Sequence, residues 1–210
     1  MGEEEDSVIE IGGRGPYSVN AMVVPDYLRG LVDAKAEEMH AVRRRLDANA
    51  FQDLVAFIDP IDGTKEFING RGEQCTICLG FSDSNTGEAV AGVVYRPITG
   101  TWAAGASSES YRVSKLAPDG DGSSFLASSG ALSAFTQTAQ RELGRDLGLE
   151  LRLCGGAGNK VLNFLVKKGA CYIQDRGLSR WDTCACEAVL TAFGGRLLLL
   201  DTILEGCLQP

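Results

Sequence analysis

Asp59-Pro60-Ile61-Asp62-Gly63-Thr64 constrains this chain more than any other stretch. The apolar run from Leu54 to Ile58 ahead of it reads as a short buried strand that delivers Asp59 at its end. Pro60 turns the chain, and Asp62 follows three residues after Asp59. Two carboxylates placed this way can share hard, oxygen-seeking cations such as Mg²⁺. Gly63 and Thr64 then open a short helix, whose free N–H groups point toward an anion. A plain turn in which Asp62 caps that helix fits the same letters.

Around this motif the pattern changes once along the chain. Pro25 to Ala48 reads as a helix, with Pro25 at its first position and Leu28, Leu31, Val32, Met39, Val42 and Leu46 on one stripe. Cys75 to Phe81 and Ala89 to Tyr95 read as two strands joined by a turn over Asp83 to Gly87. Thr101 to Ala104 and Tyr111 to Val113 extend that antiparallel sheet. Ala117 to Ser124, crowded with Pro, Gly, Asp and Ser, reads as a linker.

Beyond the linker, strand and helix alternate. Strands are expected over Phe125 to Ser128, Leu149 to Cys154, Ala170 to Gln174 and Arg196 to Asp201. Helices are expected over Ala131 to Leu147, Asn159 to Lys167 and Trp181 to Phe193, the last closed by Gly194-Gly195. Two sub-domains follow, 1–116 around the metal-binding motif and 124–210 as an α/β unit.

Charge narrows the function classes. A formal charge of −8 argues against a nucleic-acid polymer as partner, which needs a basic surface. It permits a small phosphorylated substrate, provided bound cations offset the carboxylates locally. No apolar run reaches the roughly 18–20 residues that span a bilayer, and the acidic start carries no secretory signal. Seven cysteines, an odd number without framework spacing, point to reduced thiols and a cytoplasmic setting.

Three further clusters carry candidate chemistry. Asp182, in Trp181-Asp182-Thr183, stands at a helix start, where a ligand and a cap look alike. Gly2-Glu3-Glu4 is a carboxylate cluster that reads equally as a solvated acidic tail. Gly155 to Gly158, followed by Lys160, could bring backbone N–H groups close to a ligand, or be a plain turn beside a surface lysine.

Cys75-x-x-Cys78 and Cys184-x-Cys186 raise zinc or redox chemistry. Residues three apart on a strand face opposite ways, and residues two apart on a helix diverge, so buried structural thiols are the better reading. The single histidine, His40, sits mid-helix and is a poor catalytic base.

Gly-Glu-Glu, Asp-Pro-Ile-Asp-Gly-Thr and Trp-Asp with a following Gly-Gly, in this order, resemble the inositol monophosphatase-like superfamily from about Gly2 to Gly195. The resemblance implies Mg²⁺ ligands at Glu3, Asp59, Ile61 (main chain), Asp62 and Asp182, with two or three ions and inhibition by Li⁺. It implies that Asp59, Asp62 and Thr64 are catalytic, with Thr64 orienting the attacking water. Gly63 and Thr64 would receive the phosphate.

Asp59 to Phe67, Gly155-Gly-Ala-Gly-Asn-Lys160 and Trp181 to Ala185 look most like 3′(2′),5′-bisphosphate nucleotidases, which implies substrate contacts at Gly156 and Lys160. Asp175 matches a substrate-recognising acidic position of the inositol monophosphatases.

The implied fold is α/β, a layered α/β/α/β sugar-phosphatase architecture. It is expected here without the N-terminal helices, the water-activating aspartate upstream of Gly-Glu-Glu, and the C-terminal strands and helix. The implied reaction is Mg²⁺-dependent hydrolysis of 3′-phosphoadenosine 5′-phosphate to AMP and phosphate. Inositol polyphosphate 1-phosphatase or inositol monophosphatase activity is the alternative within the family. A truncated binding paralogue without turnover is the alternative of another class. Missing ends would also expose core and favour self-association.

Overall fold

The computed structural model describes residues 25–106, 111–128 and 132–199. Contacts divide the chain into two compact units, Met1–Phe51 and Gln52–Pro210. In the first, helix α1 spans Asp26–Arg43, with Pro25 as its N-cap rather than its first helical residue. No side chain of α1 is buried, so the stripe with Leu31 and Met39 lies exposed, as does His40.

The second unit opens with an antiparallel sheet of five strands in the order β1-β2-β3-β4-β5. Its strands are β1 (Leu54–Asp62), β2 (Thr76–Asp83), β3 (Ala89–Arg96), β4 (Thr101–Ala106) and β5 (Tyr111–Ser114). A short helix α2 (Thr64–Ile68) lies between β1 and β2. The connection after β5 is held to the end of α4 (Ala157–Leu165), because the Asp119 amide donates to the Val166 carbonyl at 2.9 Å. A parallel sheet follows in the order β7-β6-β8, built from β6 (Ser124–Ala127), β7 (Glu150–Leu153) and β8 (Cys171–Tyr172). Helices α3 (Ala134–Asp146), α4 and α5 (Arg180–Ala192) alternate with these strands. The mixed α/β class is as the sequence implied, with an antiparallel part preceding a strand–helix alternation.

Glycine lets α5 lie directly on the large sheet. Gly80 of β2 pairs with Gly92 of β3, which pairs with Gly105 of β4, so the three form a row across the strands. A Cβ at Gly80 would stand 2.5 Å from the Ala185 nitrogen, and one at Gly92 only 2.7 Å from the Ala185 Cα. At Gly105 it would meet the Ala192 Cβ at 2.5 Å. Side chains anywhere in this row would lift the helix off the sheet. Beside the row, Cys78, Val94 and Ala103 join Val161 and Leu162 of α4 and Ala185, Cys186, Val189 and Leu190 of α5 in one buried core.

Two expectations fail. The run Leu54 to Ile58 is a strand, but not a buried one. β1 is the sheet's edge, Val55 and Ile58 are exposed, and burial along this strand is confined to Asp59 and Asp62. The last expected strand also does not form over residues 196–199, which follow α5 without regular structure. Residues 200 and 201 lie outside the described residues.

Candidate metal centre

Residues three apart on a regular strand point to opposite faces, which would separate Asp59 from Asp62. The sheet resolves this with an irregularity. Asp59 pairs with Cys78 and Asp62 with Thr76, so three steps along β1 match two along β2. The extra residue restores the phase and turns both carboxylates toward the face that carries Thr76 and Cys78. Pro60, which has no N–H to give a sheet ladder, sits at that irregularity.

The third carboxylate arrives with α5. Asp182 stands in its first turn, and the Ser179 amide donates to its Oδ2 at 2.6 Å. Asp59, Asp62 and Asp182 each offer an oxygen, and these oxygens all lie within 4.8 Å of one another. The residues are 3%, 5% and 8% exposed. Among the described residues this is the one cluster of metal-ligating side chains of its kind. Hard carboxylate oxygens gathered out of water suit a divalent cation such as Mg²⁺, which would offset their mutual repulsion.

Backbone amides fix each oxygen set. The Ile61 amide donates to Asp59 Oδ1 at 3.0 Å. Asp62 receives three bonds: the Thr76 hydroxyl to Oδ2 at 2.7 Å, the Gly158 amide to Oδ2 at 2.8 Å, and the Ala157 amide to Oδ1 at 3.2 Å. Asp62 therefore does cap a helix, but the helix is α4 and not the α2 that follows it. The N-cap of α2 is Gly63, with φ 87°, a left-handed conformation that suits glycine. Ligand and cap, posed as alternatives for Asp62 and Asp182, are compatible in both.

Gly156 has φ 67°, and a Cβ there would approach Asp62 Oδ2 to 3.0 Å. Its neighbour Gly155 leaves room for the buried Glu66, whose Cδ would lie 1.9 Å from an added Cβ. Arg71 Nη2 reaches Glu66 Oε1 at 3.5 Å. Thr64 begins α2 and is exposed, as is the Ile61 side chain.

Lys160 is buried, which rules out the surface lysine of a plain turn. Its ammonium donates to Gln174 Oε1 at 3.1 Å and lies 5.6 Å from the centre of the Tyr172 ring. Burial pulls its pKa down, against the opposing influence of Cys154, Asp62 and Glu66. Asp175 is exposed and accepts from the Ser133 amide at 3.3 Å. Glu3 lies outside the described residues.

The reading of the cysteines as buried thiols agrees with the structure. Cys75, Cys78, Cys184 and Cys186 are free and buried. The neighbouring Cys78 thiol, then burial and the charges of Asp62 and Asp182, hold the Cys186 thiol well above its ordinary pKa. Sequence reasoning missed Thr76 and Glu66. Thr76 becomes legible only from the β1–β2 register, and no local pattern marks Glu66 as buried.

The sequence profile described as "Inositol monophosphatase family" matches residues 32–203. Human 3′(2′),5′-bisphosphate nucleotidase 1 is 31% identical over 156 residues, covering 70% of this chain and 50% of that protein. Inositol monophosphatase 3 of Xenopus laevis is 27% identical over 158 residues, covering 71% and 43%. The chain thus spans about half the length of the curated relatives it matches. Among solved structures, CysQ from Bacteroides thetaiotaomicron, a bacterial member of the inositol monophosphatase family, superposes with a TM-score of 0.54 at 24% identity, covering 71% of this chain and 63% of that one. Mycobacterium tuberculosis SuhB gives 0.53 at 22%, covering 79% and 74%. These two likenesses are of fold.

Proposed function

The chain belongs to the inositol monophosphatase family, and we propose that it carries the cation-binding core of a Mg²⁺-dependent phosphomonoester hydrolase. The observation that carries this reading is the buried triad of Asp59, Asp62 and Asp182, with its oxygens within 4.8 Å of one another. These side chains would hold Mg²⁺ together with Glu3 and the Ile61 carbonyl. Two or three ions, displaced in part by Li⁺, complete the proposal. Mg²⁺ bound there would supply a water of lowered pKa and a clamp on the phosphoryl oxygens.

The chain's own residues would do the rest. Asp59 and Asp62, held by amides with an oxygen of each within 4.8 Å of the other, would need little reorganisation when substrate arrives. Thr64, at the start of α2, would orient the attacking water, and the turn at Gly63 would receive phosphoryl oxygens. Gly156, Lys160 and Asp175 would face the substrate, with Lys160 acting as a buried positive charge.

The preferred substrate is 3′-phosphoadenosine 5′-phosphate. The likeness to a bisphosphate nucleotidase and the Gly155-Gly-Ala-Gly-Asn-Lys160 segment support it. The free thiols among the described cysteines support a cytoplasmic setting.

Phosphate release tests the reading, with 3′-phosphoadenosine 5′-phosphate, inositol 1-phosphate and inositol 1,4-bisphosphate compared in MgCl₂, in EDTA, and in LiCl against KCl. Fastest release from the bisphosphate nucleotide, dependent on Mg²⁺ and depressed by Li⁺, is the expected result. Preference for an inositol phosphate would move the substrate assignment within the family. Release that is indifferent to EDTA would overturn the metal mechanism.

A further inference from the structure

A cavity of about 260 Å³ lies beside the first turns of α4, lined by Arg96, Arg152, Lys168, Asn159, Asn163 and Glu73 among others. Asp59, Asp62 and Asp182 are not part of its wall. The chain as a whole carries a formal charge of −8, yet three of the ten lining residues are cationic and only Glu73 is acidic.

Arg96 is the residue that needs an explanation. It is half-buried at the end of β3, and burial draws its guanidinium below its ordinary pKa. Its Nε donates to Asn159 Oδ1 at 2.9 Å. Its Nη2 donates to Asn159 Oδ1 at 2.6 Å, to the Asn159 carbonyl at 3.1 Å and to Asn163 Oδ1 at 3.0 Å. Every one of these acceptors is neutral. Among the described residues no carboxylate forms an ion pair with Arg96 or with Arg152. Lys168 is paired with Asp119.

Buried charges are normally matched by an opposite charge, because removing an ion from water is costly. Asparagine oxygens orient a guanidinium without neutralising it, so Arg96 is fixed in direction while its charge stays available. Its Nη1 nitrogen, which serves none of these oxygens, and the guanidinium of Arg152 present N–H donors to an oxyanion. The volume lies just under the roughly 300–1,000 Å³ typical of drug-sized ligands, so it suits a small one. Glu73 leaves the lining with a net positive charge.

We propose that this cavity binds a small phosphate-type oxyanion, held by Arg96 and Arg152, at a site separate from the three-carboxylate cluster. Asn159 keeps Arg96 aimed and directly follows Gly158, whose amide holds Asp62. Anion seat and carboxylate cluster therefore flank the same helical turn.

Calorimetric titration of the chain in EDTA tests this, because without divalent metal the carboxylate cluster repels anions. The probes are inorganic phosphate and glycerol 2-phosphate, with potassium chloride as the ionic control. Saturable one-to-one binding of phosphate, absent with chloride, is expected. Binding of glycerol 2-phosphate as well identifies a seat for a phosphoryl group on a carrier, and binding of phosphate alone identifies a seat for the free anion.

Arg152→Ala and Arg96→Gln should each weaken binding by about tenfold or more, the scale of one lost hydrogen bond to a charged group. Arg152 is exposed, so its truncation carries the test alone if Arg96→Gln fails to fold. Heats for phosphate no larger than for chloride, or unchanged phosphate affinity in folded Arg152→Ala, would overturn the proposal.

Discussion

Asp62 Oδ2 and the Gly158 amide nitrogen stand 2.8 Å apart, so a carboxylate at the end of β1 caps α4 across 96 positions of sequence. The proposed cation ligand is thereby also a structural joint. Asp62→Ala would orphan the Ala157 and Gly158 amides and leave the Thr76 hydroxyl only its weak contact with the Cys78 thiol, all in buried surroundings. Losses of this kind cost about 2 kcal/mol or more. Urea unfolding in EDTA should show that loss with no metal present. A variant as stable as the parent in EDTA would mean that the cap contributes nothing.

Helix α5 brings Asp182 to the site only because the glycine row on the sheet admits it. Gly92→Ala places a Cβ 2.7 Å from the Ala185 Cα, and backbone must move to relieve it. Overpacking of this kind costs roughly 1–3 kcal/mol. Displacing α5 should also weaken Mg²⁺ binding, although Gly92 touches no proposed ligand. Thermal melts with and without MgCl₂ measure both effects. Full stability with unchanged metal response would show that the helix tolerates the displacement.

Acid sensitivity has an identifiable surface component. Amides of Thr86 and Asn85 donate to Asp83 Oδ1 in the β2–β3 turn and hold its carboxyl below the ordinary value of 3.8. A depressed folded pKa means that the unfolded chain takes up the proton first. The stabilising contribution is therefore present above 3.8 and is lost as pH falls through the lower folded value. Asp83→Asn keeps the turn-forming oxygen and removes the charge. The parent should be slightly the more stable at neutral pH, by a small margin because solvent screens so exposed a carboxylate. The two should converge in strong acid. A gap that widens on acidification would mean that folding raises the Asp83 pKa instead of lowering it.

Most elements were legible from hydrophobic period and punctuation. Helix α5 starts and stops within a residue of the expected Trp181 to Phe193, and the turn at Asp83 to Gly87 joins β2 to β3 as read. What escaped depends on partners distant in sequence. An apolar run such as Leu54 to Ile58 looks the same at an edge as in a centre, and only pairing makes β1 an edge. The irregularity between Asp59 and Asp62 is likewise a property of register against β2, and without it the motif's carboxylates would diverge. Of the proposed carboxylate ligands, Asp59, Asp62 and Asp182 meet in space, while Glu3 falls outside the described residues.

The proposed divalent-cation site rests on Asp59, Asp62 and Asp182. Calorimetric titration of MgCl₂ into the EDTA-stripped and dialysed chain addresses it most directly, with Asp59→Asn and Asp182→Asn alongside. Saturable Mg²⁺ binding by the parent is expected, with a matching rise in melting temperature by linkage and binding weakened at least about tenfold in each folded variant by loss of a ligand charge. Mg²⁺ affinity in both variants equal to the parent's, or no Mg²⁺ binding by the folded parent, would contradict it.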